Sequence, residues 1–518
     1  MKRELGTKKF SIVFYLLLLI YSVISHLALG YPPNIYAILG NFLILLMAYR
    51  LSKFLFCAIL LIHSLICTAY IPEAIFYGSP SIGIIASLLE TNSQESWEYL
   101  QSLPLYSYAI CIIFLLFSLG VMIFSMKINR TLFQKKYLIV FLLLTVIATV
   151  YKPWSNERKG KGFYLPDTRV SLVGFYLINY QLIKGYHAEK DKINLMKNIP
   201  ATWQIESAQP SYQNYVLVIG ESMRQDYLSM YGYPHNTTPF LASTNGVVLN
   251  HYISAAPNTQ TSLLRTLYHY QGEQTQYQNN IITLAKSAGF KTYWFSNQGM
   301  TGGFDTVAAR VGATADEVYF TKHFSDSSIN INDRKLLPIF AEKLQQPSDK
   351  PRLFVLYLMG SHPEFCQRLT EKPSFDFINK NLSCYLESLK QTDSLLKQIV
   401  HQLQLRGESY SLIYFSDHGL SHTDKDSSSV NLRVGSEHKE NYQVPFIKIS
   451  SDDKERITLN ASRSAFNFIY GFAQWLNVKE KSLDNGYQFF SENNDKIKVF
   501  NWHNDIDFEP LASDPALQ

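Results

Sequence analysis

The sequence predicts an α-helical membrane domain of five transmembrane helices, followed by an α/β domain with a mostly parallel central sheet. Three observations carry that reading. The first third of the 518-residue chain is a series of long apolar runs, whereas the rest has the composition of an ordinary soluble protein. The Lys and Arg residues of that first third occupy alternate connections only. Beyond about Gln204, short apolar runs alternate with helical segments, and several end at residues able to bind a metal or move a proton. The expected division is therefore a membrane domain over residues 1–152, a bridging interfacial segment over 153–204, and a soluble α/β domain over 205–518. Charged residues make up 17% of the chain and its net charge is +5, spread in short blocks rather than gathered on one surface. That distribution points to membrane topology and gives no basic surface for a nucleic-acid partner, so none is expected.

The five apolar runs are residues 10–29, 35–49, 54–71, 106–124 and 137–150. A bilayer core calls for about 20 apolar residues per helix, so the second and fifth must borrow flanking residues. The first is too long for a signal-peptide core and no A-x-A-like cleavage site follows it. Five such runs with so few internal charges do not suit a buried bundle in a soluble protein.

Orientation follows from the basic residues. Lys2, Arg3, Lys8 and Lys9 precede the first run, Arg50 and Lys53 separate the second from the third, and Lys127, Arg130, Lys135 and Lys136 separate the fourth from the fifth. The connections 30–34 and 72–105 contain neither Lys nor Arg. The positive-inside rule then makes the N-terminus cytoplasmic and sends everything after Val150 outward. In the outward loop 72–105, Ile82, Ile85, Leu88 and Leu89 fall near helical spacing, which fits either an interfacial amphipathic helix or one packed beneath the soluble domain. Residues 158–186 mix basic, aromatic and apolar residues and read as a surface-hugging bridge.

In the soluble part, Tyr215-Val216-Leu217-Val218-Ile219 precedes Gly220-Glu221-Ser222, residues 353–358 precede Gly360-Ser361-His362, and residues 410–415 precede Ser416-Asp417-His418-Gly419. Apolar runs of this kind are parallel strands buried on both faces, and ligands sit beyond the carboxyl ends of such strands. Glu221, His362, Asp417 and His418 share that rim. Taken singly, each has a plain structural explanation: a capping carboxylate, a turn aspartate, a surface histidine. Together, Glu221, Asp417 and His418 form an O,O,N donor set suited to zinc, less to manganese, and poorly to calcium. A metal there needs either water or a side-chain hydroxyl as its nucleophilic partner.

At this point the residues resemble a known family. Residues 216–222, then Tyr231-Gly232-Tyr233-Pro234, Thr237-Thr238-Pro239, Asn258-Thr259-Gln260-Thr261-Ser262, Tyr293-Trp294-Phe295-Ser296-Asn297-Gln298, Met359-Gly360-Ser361-His362, Ser416-Asp417-His418-Gly419 and Val444-Pro445-Phe446 resemble, in order, the phosphoethanolamine transferases of the alkaline phosphatase/sulfatase-like superfamily. The resemblance extends to the five-span plan and to Leu89-Glu90-Thr91-Asn92 in the outward loop. It implies a sulfatase-like fold and a catalytic domain on the periplasmic side of a bacterial inner membrane. It implies zinc held by Glu221, Thr259, Asp417 and His418, possible room for a second ion, and Thr259 as the nucleophile that becomes phosphoethanolaminylated. His362 and His438 would line the substrate side, and Ser87, Thr91, Glu95 and Asn297 would contact substrate. The donor would be phosphatidylethanolamine, and the acceptor lipopolysaccharide, at a lipid A phosphate or a core heptose.

There are departures from the pattern. Many members flank the nucleophile with a cysteine pair, where this chain has Ala255 and Arg265. The usual acidic residue after Asp-His-Gly is Leu420. His422 competes with His438 for the second substrate-side position, and closeness to Val444-Pro445 favours His438. The lead-in Ala256-Pro257-Asn258 is closer to the heptose-modifying branch than to the lipid A branch. Cys57, Cys67 and Cys111 lie in spanning runs, whereas Cys366 and Cys384 are both outward, where an oxidising compartment favours a bridge. The competing activities are a phosphoglycerol transferase and a metal-dependent phosphatase or sulfatase-like hydrolase. A sulfatase would need a Cys-x-Pro-x-Arg-like site, which does not occur.

Overall fold

The computed structural model describes residues 2–91, 93–128, 136–158, 163–196, 199–271, 274–298, 306–321, 330–483 and 486–518. It divides into two compact units, one formed by Met1–Ile85 with Leu103–Glu189, the other by Ala86–Ser102 with Lys190–Gln518.

The first unit is helical. Among the described residues, Phe10–Ala28, Lys53–Tyr77, Leu105–Met126 and Ile139–Arg158 are long and apolar enough to cross a membrane, and Ile35–Leu51 is a shorter apolar helix. Four spans are therefore plain on length and composition, and the expected second is 17 residues long. Large apolar side chains such as Phe54, Ile113 and Ile139 point outward, as helices facing hydrocarbon require. Polar side chains turn inward and pair there: Tyr21 with Ser64 at 2.8 Å, His63 Nδ1 with the Tyr176 hydroxyl at 2.9 Å, and Asn41 Nδ2 donating to Ser171 Oγ at 2.7 Å. Two of these bonds anchor the helix Ser171–Met196. The stretch 153–204 is thus not a separate body: it divides at Glu189, and its larger part belongs to the helical unit.

The second unit is built on a nine-stranded sheet. Its order is Gln443–Val444, Gly246–Ile253, Phe446–Ser450, Tyr410–Ser416, Asn214–Gly220, Arg352–Tyr357, Lys291–Ser296 and Glu317–Phe320, with Arg456–Ser464 pairing parallel to Gly246–Ile253. The strands around Asn214–Gly220 run parallel, and every residue of Asn214–Gly220, Arg352–Tyr357 and Tyr410–Ser416 is buried. Helices cover both faces, so these strands are continuous apolar runs rather than alternating ones. The register sets Gly220 beside Ser416, which brings the residues after each strand together.

The outward loop contains helices Ile82–Glu90 and Ser93–Ser102, and residues from Ala86 to Ser102 group with the catalytic unit. The helix Ile82–Glu90 is divided between the two units at Ile85, so both readings of this loop stand.

Cys366 and Cys384 form a disulfide, with Cα atoms 4.9 Å apart and a sequence separation of 18. A closed loop of that size contributes about 3 kcal/mol in the chain-entropy model. Non-reducing peptide mapping should recover the linked pair, and Cys384→Ser should lower unfolding stability of the purified protein by about that amount.

Candidate metal centre and nucleophile

Glu221, Asp417 and His418 converge at the carboxyl ends of the two central strands. All three are buried, and their ligand atoms lie within 4.8 Å of one another. His418 Nε2 is 3.0 Å from Glu221 Oε1 and 3.7 Å from Asp417 Oδ2. Its Nδ1–H donates to the Gly419 carbonyl at 2.8 Å, which leaves the Nε2 lone pair facing the carboxylates. Asp417 Oδ1 accepts from the Ser222 and His418 amides at 3.2 and 2.7 Å. Asp417 Oδ2, in contrast, is buried with no hydrogen-bond partner. An orphaned carboxylate oxygen facing a free imidazole nitrogen and a second carboxylate is the donor arrangement of a zinc site, and these residues fit that ion.

Protonation reflects the same crowding. Burial would raise the Glu221 carboxyl, but the hydrogen bond and charge of His418 outweigh it, with His362 adding to them, and hold it down to about 2. Burial and the neighbouring Glu221 charge push Asp417 well above the usual carboxylate range. Burial would lower His418, yet Asp417 and Glu221 raise it to about 9. The set binds protons where a dication would displace them.

Thr259 opens the helix Thr259–Leu267, whose N-cap Asn258 accepts from the Thr261 amide at 2.9 Å. The Thr259 hydroxyl lies 3.1 Å from both Glu221 oxygens and 3.2 Å from His418 Nε2. Of its two rivals, Ser262 is engaged elsewhere, its Oγ donating to the Asp417 carbonyl at 2.6 Å. A hydroxyl at a helix N-terminus also faces a positive dipole end, suited to a phosphoryl group.

Tight backbone approaches hold this arrangement. Gly360 has φ +49°, and a Cβ there would meet the Glu221 amide nitrogen at 2.9 Å. A Cβ on Gly419 would meet the Glu440 carbonyl oxygen at 2.1 Å. The places of the family's cysteine pair are joined without a covalent bond. The Phe500 amide donates to the Ala255 carbonyl at 3.0 Å, the Arg265 guanidinium lies 4.2 Å from the centre of the Phe500 ring, and Arg265 pairs with Asp505 at 3.0 Å. Leu420 is a fully buried core residue.

The remaining candidates fall unevenly. His362 is close enough for its charge to act on Glu221. His438 is half-buried, with Nδ1 3.0 Å from Ser421 Oγ; that hydroxyl donates to Asn441, so it accepts from His438 and leaves Nε2 free. His422 is buried with both ring nitrogens engaged, Nδ1 by Asp514 at 2.8 Å and Nε2 by the Tyr227 hydroxyl at 2.7 Å. Its geometry is that of a structural residue. Asn297, expected to contact substrate, is fully buried and spends its amide internally: Nδ2 donates to Asp333 and the Ile331 carbonyl, and Oδ1 accepts from Thr321. The neighbouring Gln298 reaches the site instead, its Nε2 3.3 Å from Glu221 Oε2. Sequence reasoning had Gln298 within the matched motif but no signal for its direction. Ser222 was missed in the same way, and its hydroxyl donates to Glu221 Oε1 at 2.9 Å. Thr91 bonds back to the Ser87 carbonyl through both amide and hydroxyl, and the Glu95 side chain lies outside the described residues.

Comparison with known proteins bears on this geometry. The Sulfatase family matches residues 213–478. Phosphoethanolamine transferase OpgE of Escherichia coli (strain K12) is 36% identical over 501 residues, which cover 95% of this chain and 94% of that protein. The integral membrane lipooligosaccharide phosphoethanolamine transferase A (EptA) of Neisseria meningitidis has the same fold, with TM-score 0.59 and 18% identity over 89% of this chain and 95% of that one. So does the zinc complex of the C-terminal periplasmic domain of EptC from Escherichia coli, with TM-score 0.52 and 22% identity over 60% of this chain and 96% of that one. The chain belongs to the phosphoethanolamine transferase family, as a membrane enzyme with a sulfatase-type catalytic domain.

Proposed function

We propose that the protein transfers phosphoethanolamine from phosphatidylethanolamine to lipopolysaccharide, at a lipid A phosphate or a core heptose, through a covalent intermediate on Thr259. The observation that carries this reading is the Thr259 hydroxyl, within hydrogen-bond reach of Glu221 and His418 at the mouth of a metal-competent set. Glu221, Asp417, His418 and Thr259 would hold one zinc ion. When bound, zinc supplies positive charge that lowers the pKa of the threonine hydroxyl and offsets charge on the phosphoryl oxygens.

The protein groups account for the rest. Asn258 caps the helix and fixes Thr259 at its first position, so the hydroxyl is oriented before substrate arrives. Thr259 Oγ loses its proton to solvent and forms a bond to phosphorus, the bond from phosphorus to the diacylglycerol oxygen breaks, and that oxygen takes up a proton. His362 or His438, when protonated on both ring nitrogens, would give it from Nε2. In the second half, an acceptor oxygen passes its proton to that now neutral histidine and bonds to the same phosphorus, the bond from phosphorus to Thr259 Oγ breaks, and Oγ takes up a proton to regain its hydroxyl.

The catalytic domain lies on the periplasmic side of the inner membrane, reached by five spans with Ile35–Leu51 as the second. Its 17 residues rise about 26 Å, close to the hydrocarbon thickness. With this helix counted, the basic connections are all cytoplasmic, as the positive-inside rule requires.

Asp417→Ala and His418→Ala should each lose bound zinc and lower transfer about 10³-fold or more while the domain stays folded. Metal analysis showing wild-type occupancy in either variant would refute the ligand set. Incubated with phosphatidylethanolamine and no acceptor, the wild-type enzyme should accumulate phosphoethanolamine on Thr259, located by peptide mass spectrometry. Thr259→Ala should abolish both adduct and transfer, whereas Thr261→Ala should retain both; near-normal transfer by Thr259→Ala would end the covalent reading. The acceptor is tested separately. Mass spectrometry of lipid A, core oligosaccharide and soluble periplasmic glycans, from cells with and without the gene, should show phosphoethanolamine lost from the first or second fraction. Loss from the soluble glycans alone would replace lipopolysaccharide as the acceptor.

A further inference from the structure

The helix Ser93–Ser102 lies in sequence between the apolar helices Lys53–Tyr77 and Leu105–Met126, yet its contacts group it with the catalytic unit. Glu98 on that helix is 3% exposed, and its Oε2 lies 2.6 Å from Nη2 of Arg368, also buried. Arg368 directs two of its other bonds at one short segment and a third at Asn330. Nε donates to the His362 carbonyl at 3.1 Å, Nη2 also donates to the Pro363 carbonyl at 2.9 Å, and Nη1 donates to Asn330 Oδ1. The Pro363 carbonyl is in turn the partner of His362 Nδ1. A carbonyl can only accept, so His362 carries its proton on Nδ1, and Nε2 is the ring nitrogen left for another partner.

These bonds form one series: Glu98 carboxylate, Arg368 guanidinium, Pro363 carbonyl, His362 imidazole. From it, and resting on the reading that His362 serves the substrate, we infer that Glu98 and Arg368 are positioning residues that couple the outward membrane loop to the tautomer and direction of His362. The physical reason is the burial of the guanidinium. A desolvated cation keeps its place when a carboxylate faces it, and loses it when that charge is removed. Glu364 lies near enough to feel both Glu98 and Arg368, and it would compete for the guanidinium once Glu98 is neutral. Arg368 drawn toward Glu364 would release the His362 and Pro363 carbonyls together. The disulfide at Cys366 holds the downstream end of this segment to the helix Lys380–Arg406, so the freedom gained would fall on His362. The loop that carries Ser87, Thr91 and Glu95 would then share one frame with the histidine.

The test uses the full-length protein in nanodiscs containing phosphatidylethanolamine, and follows single-turnover formation of the Thr259 adduct. Glu98→Gln should slow it roughly tenfold with zinc content unchanged. In a His362→Ala background the same substitution should slow it less than about twofold, because a group acting through His362 has nothing left to act on. An equal slowing in both backgrounds, or none in the first, overturns the inference. Should His362→Ala form no measurable adduct, hydrogen exchange decides: Glu98→Gln should speed amide exchange in residues 359–369, and unchanged exchange there overturns the coupling. Thr259→Ala is run alongside. If it still transfers phosphoethanolamine, the covalent reading fails independently of Glu98.

Discussion

Glu221 and Asp417 are two carboxylates buried next to each other at the ends of adjacent parallel strands, and the catalytic unit is organised around that unfavourable proximity. Taking two such charges from water costs several kcal/mol per ion unless they are protonated, paired or bound to a metal. The imidazole of His418 answers part of the demand, and its own backbone bond to Gly419 keeps the facing nitrogen available. Asp417 Oδ2 remains without a hydrogen bond. That residual deficit is what makes the group a candidate metal site and not only a buried ion pair.

The surroundings keep the carboxylates from escaping it. Gly360 and Gly419 allow neighbouring backbone closer than any side chain would, so the loops after three strands close on Glu221 and His418. Asp333 accepts from the Met359 and Gly360 amides and from Asn297, tying the strand ends together on one side. On the other, fully buried Arg224 binds Asp226 and Asp514, with His422 and Tyr227 completing the cluster. The helix Thr259–Leu267 is held from behind by Arg265, which makes a cation–π contact with Phe500 and an ion pair with Asp505.

Membrane attachment enters this frame through a short loop. Helices that leave their apolar side chains outward have no reason to order a soluble active site, but Ala86–Ser102 gathers with the catalytic unit between two of them.

The sequence by itself determined the helical membrane part, the direction of its connections, and the rim on which Glu221, His362, Asp417 and His418 sit. These follow from long-range regularities, hydropathy over some 20 residues and buried parallel strands ending in polar turns, which a linear reading detects. It also singled out Thr259 and the Cys366–Cys384 pair. It favoured His438 over His422 by position alone and chose Asn297 without weighing Gln298, because each choice turns on side-chain direction. Asp514, nearly a hundred residues away in sequence, occupies His422; Asp333 and Thr321 occupy Asn297, and Gln298 turns to Glu221. Glu98 was equally illegible, since nothing local to Ser93–Ser102 announces a partner at Arg368. Only the tertiary structure decided these points, because a buried polar group takes its role from the partner that satisfies it, and that partner is brought near by the fold.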